Sequence, residues 1–276
     1  MKIEAIRQYF IVNGKLIPTS NTEAFEKIEE PVIYEVIRVI QGVPLFLEEH
    51  LERMKKSADL VGVRLHREDE EIHKDIMRLI EANEEENLNV KLLYTSPEGN
   101  PMLFAYFIKS FYPPEEYYRT GIHTILFNYE RENPNAKIER SSFREKINKE
   151  LEKSKAFEAL LVNSKGYVTE GSRSNMFFVK GNKIYTAPEG AVLLGITRKY
   201  ILQVCKELNI EVVEENTHID EIPKLDGAFM SGTSVNVLPI SSINDIKLDS
   251  VNNPVIKKVS HGYMNKMKSY IKSKTL

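Results

Sequence analysis

Five stretches of the sequence carry residues able to bind an anion or move a proton. Leu194-Gly195-Ile196-Thr197-Arg198 sets a glycine before a helical pattern and a threonine in its first turn. Unpaired N–H groups and the dipole at such a helix start suit a phosphate. Val168-Thr169-Glu170-Gly171-Ser172-Arg173-Ser174-Asn175 ends a strand pattern in a carboxylate that, if buried, needs a cationic partner. Ser231-Gly232-Thr233-Ser234-Val235 is a turn of small residues whose N–H groups could converge on an anion. Arg53, in Glu49-His50-Leu51-Glu52-Arg53-Met54, lies beside an apolar stripe and could reach inward as a bidentate phosphate ligand. Lys137, in Asn133-Pro134-Asn135-Ala136-Lys137-Ile138, follows a turn signal and precedes a helical pattern. Singly, each has an ordinary explanation: a cap, a solvated loop, a plain turn, an exposed helix arginine, a surface lysine. His50 reads as a packing or surface histidine. It takes no metal role, because no second ligand sits at suitable spacing.

The elements that must position these residues follow from the apolar periodicity. Asn13-Gly14 between alternating runs at 7–12 and 15–17 predicts a hairpin, and Gln41-Gly42 predicts a second between 32–40 and 43–47. Leu51, Met54, Ala58 and Val61 form a helical stripe over 48–61, as do Ile72, Ile76, Leu79 and Ile80 over 68–82. Strands are expected at 88–95 and 102–109. Tyr112-Pro113-Pro114-Glu115-Glu116 reads as a linker, with a fresh strand pattern from Ile122. Beyond it come helices at 143–153, 196–208 and 255–271, and strands at 157–162, 176–179, 183–185, 211–214 and 228–231. Strands and helices mix without a βαβ rhythm, so the fold class is α+β. The expected organisation is a small domain at 1–111, a linker at 112–120 and a larger domain at 121–276.

Composition narrows the partners. The chain has 276 residues, 42% of them hydrophobic, with 38 basic and 40 acidic residues and a net charge of −2. That balance recommends neither nucleic acid nor an anionic membrane. A single cysteine, Cys205, excludes an intramolecular disulfide framework and reads as a small buried hydrophobe. The charged first residues do not resemble a signal peptide, and no run approaches a membrane helix, so a cytoplasmic location is expected.

Taken in order, the motifs resemble the class IV, or fold-type IV, aminotransferases. The resemblance runs through Phe157-Glu158-Ala159-Leu160-Leu161-Val162, Gly166-Tyr167-Val168-Thr169-Glu170-Gly171-Ser172-Arg173-Ser174-Asn175-Met176-Phe177, Ile184-Tyr185-Thr186-Ala187-Pro188, Gly195-Ile196-Thr197-Arg198, Met230-Ser231-Gly232-Thr233-Ser234 and Val237-Leu238-Pro239-Ile240. It extends more thinly to Tyr34-Glu35-Val36-Ile37-Arg38 and His50-Leu51-Glu52-Arg53-Met54. The resemblance implies a small N-terminal domain, a larger domain binding pyridoxal 5'-phosphate, and a homodimer. Lys137 matches the family's Schiff-base lysine and Glu170 the carboxylate that pairs with the pyridine nitrogen. Arg53, Ile196, Thr197 and Thr233 would hold the phosphate. Ser234 and Val235 would offer N–H groups to the substrate carboxylate, with Tyr34 and Arg38 lining the substrate side.

The implied reaction is amino transfer between an amino acid and a 2-oxo acid. A lyase resembling aminodeoxychorismate lyase, and a non-catalytic relative, are the rival readings. Three departures bear on them. Glu29-Glu30-Pro31 replaces a glycine-rich segment found in many members. Ser142, with Arg140 and Ser141 beside it, stands where branched-chain enzymes carry a tyrosine. No arginine lies near Ser96, where D-amino-acid transaminases grip the substrate carboxylate.

Overall fold

A computed structural model describes residues 4–131, 134–138 and 141–275. The chain divides into two units. The first comprises Met1–Phe111, Ala136–Glu139 and Met267–Leu276; the second comprises Tyr112–Asn135 and Arg140–Lys266.

The first unit is built on strands β1 (Tyr9–Val12) and β2 (Lys15–Pro18), the short helix α1 (Glu23–Glu26), and strands β3 (Ile33–Ile40) and β4 (Val43–Pro44). Helices α2 (Leu47–Leu60) and α3 (Asp69–Asn83) and strands β5 (Asn89–Thr95) and β6 (Met102–Ile108) complete it. The strands form one sheet in the order β2-β1-β6-β5-β3-β4. Asn13 and Gly14 take φ of 46° and 80°, as the twist-matched two-residue turn requires. The second expected hairpin is shorter than the apolar run suggests, because β4 is cut off at Pro44 and Phe46 turns left-handed (φ 54°) to start α2. Alternation along β3 buries Ile33, Ile37 and Val39 against Leu51, Met54 and Ala58 of α2 and Ile76 of α3. Glu35 lies on that same apolar face.

The second unit begins with α4 (Glu115–Thr120), β7 (Ile122–Asn128), α5 (Ser141–Ser154), β8 (Glu158–Val162) and β9 (Tyr167–Gly171). It continues with β10 (Asn175–Lys180), β11 (Lys183–Thr186), α6 (Ile196–Glu207), β12 (Val212–Glu214), β13 (Thr217–His218) and β14 (Gly227–Gly232). Strands β15 (Asn236–Ile243) and β16 (Ile246–Lys247) and the terminal helix α7 (Pro254–Lys274) follow. The sheet order is β12-β11-β10-β14-β15-β7-β8-β9-β13, with β16 on β15. Pairing is mixed: β7 runs parallel to both β8 and β15, while β8–β9, β10–β14 and β14–β15 are antiparallel. Phe177 and Phe229 stack across β10 and β14 with centroids 4.7 Å apart. A mixed sheet with helices is α+β, as the sequence pattern predicts.

Three details depart from the sequence reading. Residues expected in the linker at 112–120 form α4, started by Pro114 with Glu115 and Glu116 in its first turn and ended at Gly121. Ala136–Glu139, expected in the larger domain, clusters with the first unit. The open edge of β3 captures it: the Tyr34 N–H donates to the Lys137 carbonyl at 3.1 Å, and Ile33 bridges Ile138. The end of α7 also clusters there, because the Tyr270 hydroxyl accepts the Leu47 N–H at 3.2 Å and donates to Glu48 at 2.6 Å.

On α7, a Cβ at Gly262 would lie 2.4 Å from Cγ1 of Val204, a buried β-branched residue with little rotamer freedom. Gly262→Ala should cost about 1–3 kcal/mol in overpacking, against about 1 kcal/mol recovered in helix propensity. Urea denaturation should register a net loss of stability; a more stable variant would show that α6 and α7 have slack at this point.

Candidate active site

Within the first unit, helix α2 lines up His50, Arg53 and Ser57 at i, i+3 and i+7, all buried at 8% exposure or less. Opposite them on β3 sits Glu35, fully buried. Arg53 donates from Nε to Glu35 Oε1 at 2.7 Å and from Nη2 to Oε2 at 2.6 Å. His50 Nδ1 lies 2.7 Å from Glu35 Oε2. Burial pushes the Glu35 carboxyl up, but the charge and hydrogen bonds of Arg53, aided by His50, outweigh it and hold the group at about 2. Burial pulls His50 below its ordinary value, outweighing the attraction of Glu35, so the imidazole is neutral with its proton on Nδ1. Arg53 therefore points inward, with its fork on Glu35.

Ser57 ties the lysine segment to the same helix. Its Oγ accepts the Lys137 N–H at 3.2 Å, while the Lys137 carbonyl takes the Tyr34 N–H. Lys137 is thus held by both backbone groups, and its Nζ stands 4.5 Å from the centroid of the Tyr34 ring. Alternation puts Tyr34 and Arg38 on the face of β3 opposite Glu35. The Arg38 carbonyl accepts the Leu45 N–H at 2.8 Å, fixing the turn into α2.

Within the second unit, Glu170 lies near the end of β9 at 3% exposure. Its Oε2 accepts the Leu193 N–H at 3.1 Å, and its Oε1 is 3.1 Å from Arg131 Nε. Arg131 Nη2 and Arg144 Nη2 both donate to the Ser172 carbonyl, at 2.9 and 3.2 Å. The loop after Glu170 winds around a second buried carboxylate, Glu158, at 1% exposure. Glu158 accepts the N–H groups of Ala159, Ser172 and Arg173 and the hydroxyls of Ser172 and Ser174. A Cβ at Gly171 would sit 2.0 Å from Ser174 Oγ, so the winding requires glycine there.

Helix α6 starts beside this loop. Gly195 is its N-cap, and a Cβ there would lie 2.1 Å from Asn175 Oδ1. Ile196 and Thr197, buried at 6% and 5%, open the first turn. Arg198 in the same motif is structural, donating to the Ala187 carbonyl at 3.0 Å and to Glu214 at 2.8 Å. Thr233, Ser234 and Val235 form the half-buried turn between β14 and β15. The Val235 N–H closes that turn on the Gly232 carbonyl at 3.2 Å, the usual i to i+3 bond. The turn itself therefore uses the N–H that the sequence reading assigns to a substrate carboxylate. Ser231 Oγ, at 1% exposure, has no hydrogen-bond partner among the described residues.

The sequence reading does not single out Glu35, Ser57, Arg131 or Glu158. For Glu35 a signal exists: a carboxylate in phase with Ile33, Ile37 and Val39 must face the core and needs cations there. Arg131 has none, since its partner is 39 positions away in the chain. Asn133 and Arg140 lie outside the described residues, and Ser142 is exposed in the first turn of α5. Cys205 is fully buried, and burial pushes its thiol up to about 12, so it packs rather than reacts.

The depressed Glu35 carboxyl makes stability depend on acid. Its contribution is complete above the ordinary value of 4.5 and is lost as pH falls toward 2. Urea midpoints taken between pH 6 and pH 2 should therefore fall in acid, and Glu35→Gln should flatten that slope. An unaltered slope would place the acid sensitivity elsewhere.

Comparisons with known proteins give the family and the fold. The family model for amino-transferase class IV matches residues 32–243. The chain is 29% identical to the D-alanine aminotransferase of Bacillus licheniformis, over 86% of this chain and 88% of that one. It is 28% identical to the branched-chain-amino-acid aminotransferase of Pseudomonas aeruginosa, over 82% and 79%. The crystal structure of the Escherichia coli branched-chain amino acid aminotransferase superposes with a TM-score of 0.84 at 21% identity, covering 95% of each chain. The architecture is thus that of the fold-type IV enzymes. No helix among the described residues is long and apolar enough to cross a membrane. With the family model spanning most of its length, this chain belongs to the class IV aminotransferases, which are pyridoxal-phosphate-dependent transferases.

Proposed function

We propose that this chain exchanges an amino group between an amino acid and a 2-oxo acid through a pyridoxal 5'-phosphate attached at Lys137. The observation carrying this reading is the placement of Lys137, whose N–H and C=O are both tied down while its amine lies against Tyr34. Such anchoring costs side-chain and backbone entropy that an ordinary surface lysine keeps.

The residues present fit the cofactor. Ser231 Oγ is a buried hydroxyl that an incoming polar group would satisfy, and the cradle at Gly195 has no room for a Cβ. In this reading Arg53, the first-turn N–H groups of Ile196 and Thr197, and Thr233 hold the phosphate. Glu170, fixed by the Leu193 N–H and close to Arg131, would accept from the ring nitrogen. The cofactor, when bound, supplies an electron sink for the charge left at the substrate Cα. With the cofactor bound, the Lys137 amine would be the group that takes up and returns the proton of the substrate Cα. Tyr34 and Arg38 line the substrate side, and Ser234 faces the substrate carboxylate, with Val235 as a wall of that turn.

The chain is further proposed to work as a homodimer in the cytoplasm; light scattering at working concentration should return twice the chain mass. The amino donor is proposed to be a small or branched apolar amino acid, in keeping with the D-alanine and branched-chain enzymes to which the chain is similar.

Borohydride treatment of the purified, coloured protein should reduce the lysine linkage, and peptide mapping should find the label on Lys137. Label on another lysine would overturn the assignment. D-alanine, L-leucine and L-valine, each added without an oxo acid, should be screened for bleaching of the colour by the half-reaction. Glu170→Gln should retain the colour and slow turnover by roughly 10- to 100-fold, the value of one charge-assisted hydrogen bond. Undiminished turnover would remove Glu170 from the reaction.

A further inference from the structure

Lysine is seldom taken out of water, yet Lys91 on β5 is only 4% exposed. Its strand pairs with β3 and β6, which set Val36 and Tyr106 directly across from it. Alternation puts its side chain on the face of the sheet that carries Tyr34 and Arg38, opposite Glu35. Its Nζ donates to Glu4 at 2.5 Å and stands 5.1 Å from the centroid of the Tyr34 ring. Lys137 Nζ stands 4.5 Å from the same centroid, and all these residues belong to the first unit. Because both nitrogens are measured to one point, they are no more than about 10 Å apart, within the range over which buried charges act on one another.

We infer that Lys91 acts through Lys137: its buried ammonium repels the proton that the Lys137 amine would otherwise keep. The inference rests on the reading of Lys137 as the cofactor-bearing lysine and adds a residue that reading did not contain.

The chemistry supplies the reason. A lysine attacks a carbonyl, or takes up a proton, only as the uncharged amine, and an ordinary lysine is almost wholly protonated at neutral pH. A second cation nearby makes that proton easier to lose. The charges facing Lys137 come from each element packed around it. Arg53 of α2 and Glu35 of β3 are joined by two hydrogen bonds, so their charges largely cancel. His50 beside them is neutral, since burial, with help from the charges of Arg53 and Lys137, pulls it below its ordinary value. On β3, the Tyr34 ring face favours an ammonium, and Arg38 shares its side of the sheet. From β5 comes Lys91, and from the N-terminal segment Glu4. These two are opposite in sign but unequal in reach. The Glu4 side chain is 45% exposed and screened by water, whereas the Lys91 ammonium is buried against the ring. Screening weakens an exposed charge more than a buried one. The pair therefore presents Lys137 with more of its positive end than of its negative one.

The test reads the proton on Lys137 directly and needs no cofactor. The cofactor-free full chain is reductively methylated with carbon-13 formaldehyde. The methyl resonance of Lys137, identified by its loss in Lys137→Arg, is then followed against pH. In the wild type its midpoint should lie below those of the surface lysines in the same sample. Lys91→Met should raise that midpoint by roughly 0.3–1 pH unit, the interaction of two charges about 10 Å apart at an effective dielectric of about 20 to 80. Lys91→Arg keeps the charge and should leave the midpoint nearly in place. Glu4→Gln removes the counter-charge and should lower it; that variant serves alone if Lys91→Met does not fold. A wild-type midpoint equal to those of the surface lysines, or equal shifts in Lys91→Met and Lys91→Arg, would overturn the inference. Borohydride label on a lysine other than Lys137 would instead sink the cofactor reading, while the titration would still report whether Lys91 acts on Lys137.

Discussion

A carboxylate taken out of water must find its donors inside the protein, and this constraint organises both units. In the first, Glu35 lies on the apolar face of β3 and draws in Arg53 and His50 from α2. In the second, Glu158 gathers two serine hydroxyls and three N–H groups, and Glu170 is met by Leu193 and Arg131. Each acid left without these partners would cost several kcal/mol by rough reckoning. The surrounding loops and helices consequently adopt one arrangement. The positions of Arg53, the 171–174 loop and Glu170 follow from that requirement.

The lysine segment obeys a related rule for backbone groups. Residues 136–138 carry no regular secondary structure apart from one bridge, yet Lys137 satisfies its N–H on Ser57 and its C=O on Tyr34. The edge of β3 is left open at Ile33 and Tyr34 because β4 is only two residues long. An unpaired edge is a ready acceptor for another chain segment, and here the segment bearing Lys137 fills it. The brevity of β4, imposed by Pro44 and the left-handed Phe46, is thereby connected to the placement of the amine.

Family membership sets the chemistry at the level of a pyridoxal-phosphate transferase, while the departures within the family's pattern mark what is particular to this chain. Where branched-chain enzymes carry a tyrosine beyond the lysine, Ser142 is exposed and turned to solvent. Arg131, reaching the Glu170 carboxylate and the Ser172 carbonyl together, makes the surroundings of that acid more cationic than the local sequence suggests.

Periodicity and turn chemistry, which act over a few residues, are enough to read most elements from the sequence. The Asn13-Gly14 hairpin, the stripes of α2 and α3, and helices α5, α6 and α7 all follow from local spacing. The motifs bearing Glu170, Thr197 and Thr233 are legible in another way, as ordered blocks that resemble those of the family. What local spacing could not supply was partnership across the chain. Glu35 meets Arg53 from 18 positions away, Lys137 meets Ser57 from 80, and Glu158 is wrapped by serines 14 and 16 positions on. Such pairings depend on which strand edge is open and which helix face turns inward, and both are settled only when the sheet closes. The sequence thus determined which groups were available for the chemistry; tertiary structure decided which of them stand together, since burial is a property of the assembled core and not of any one segment.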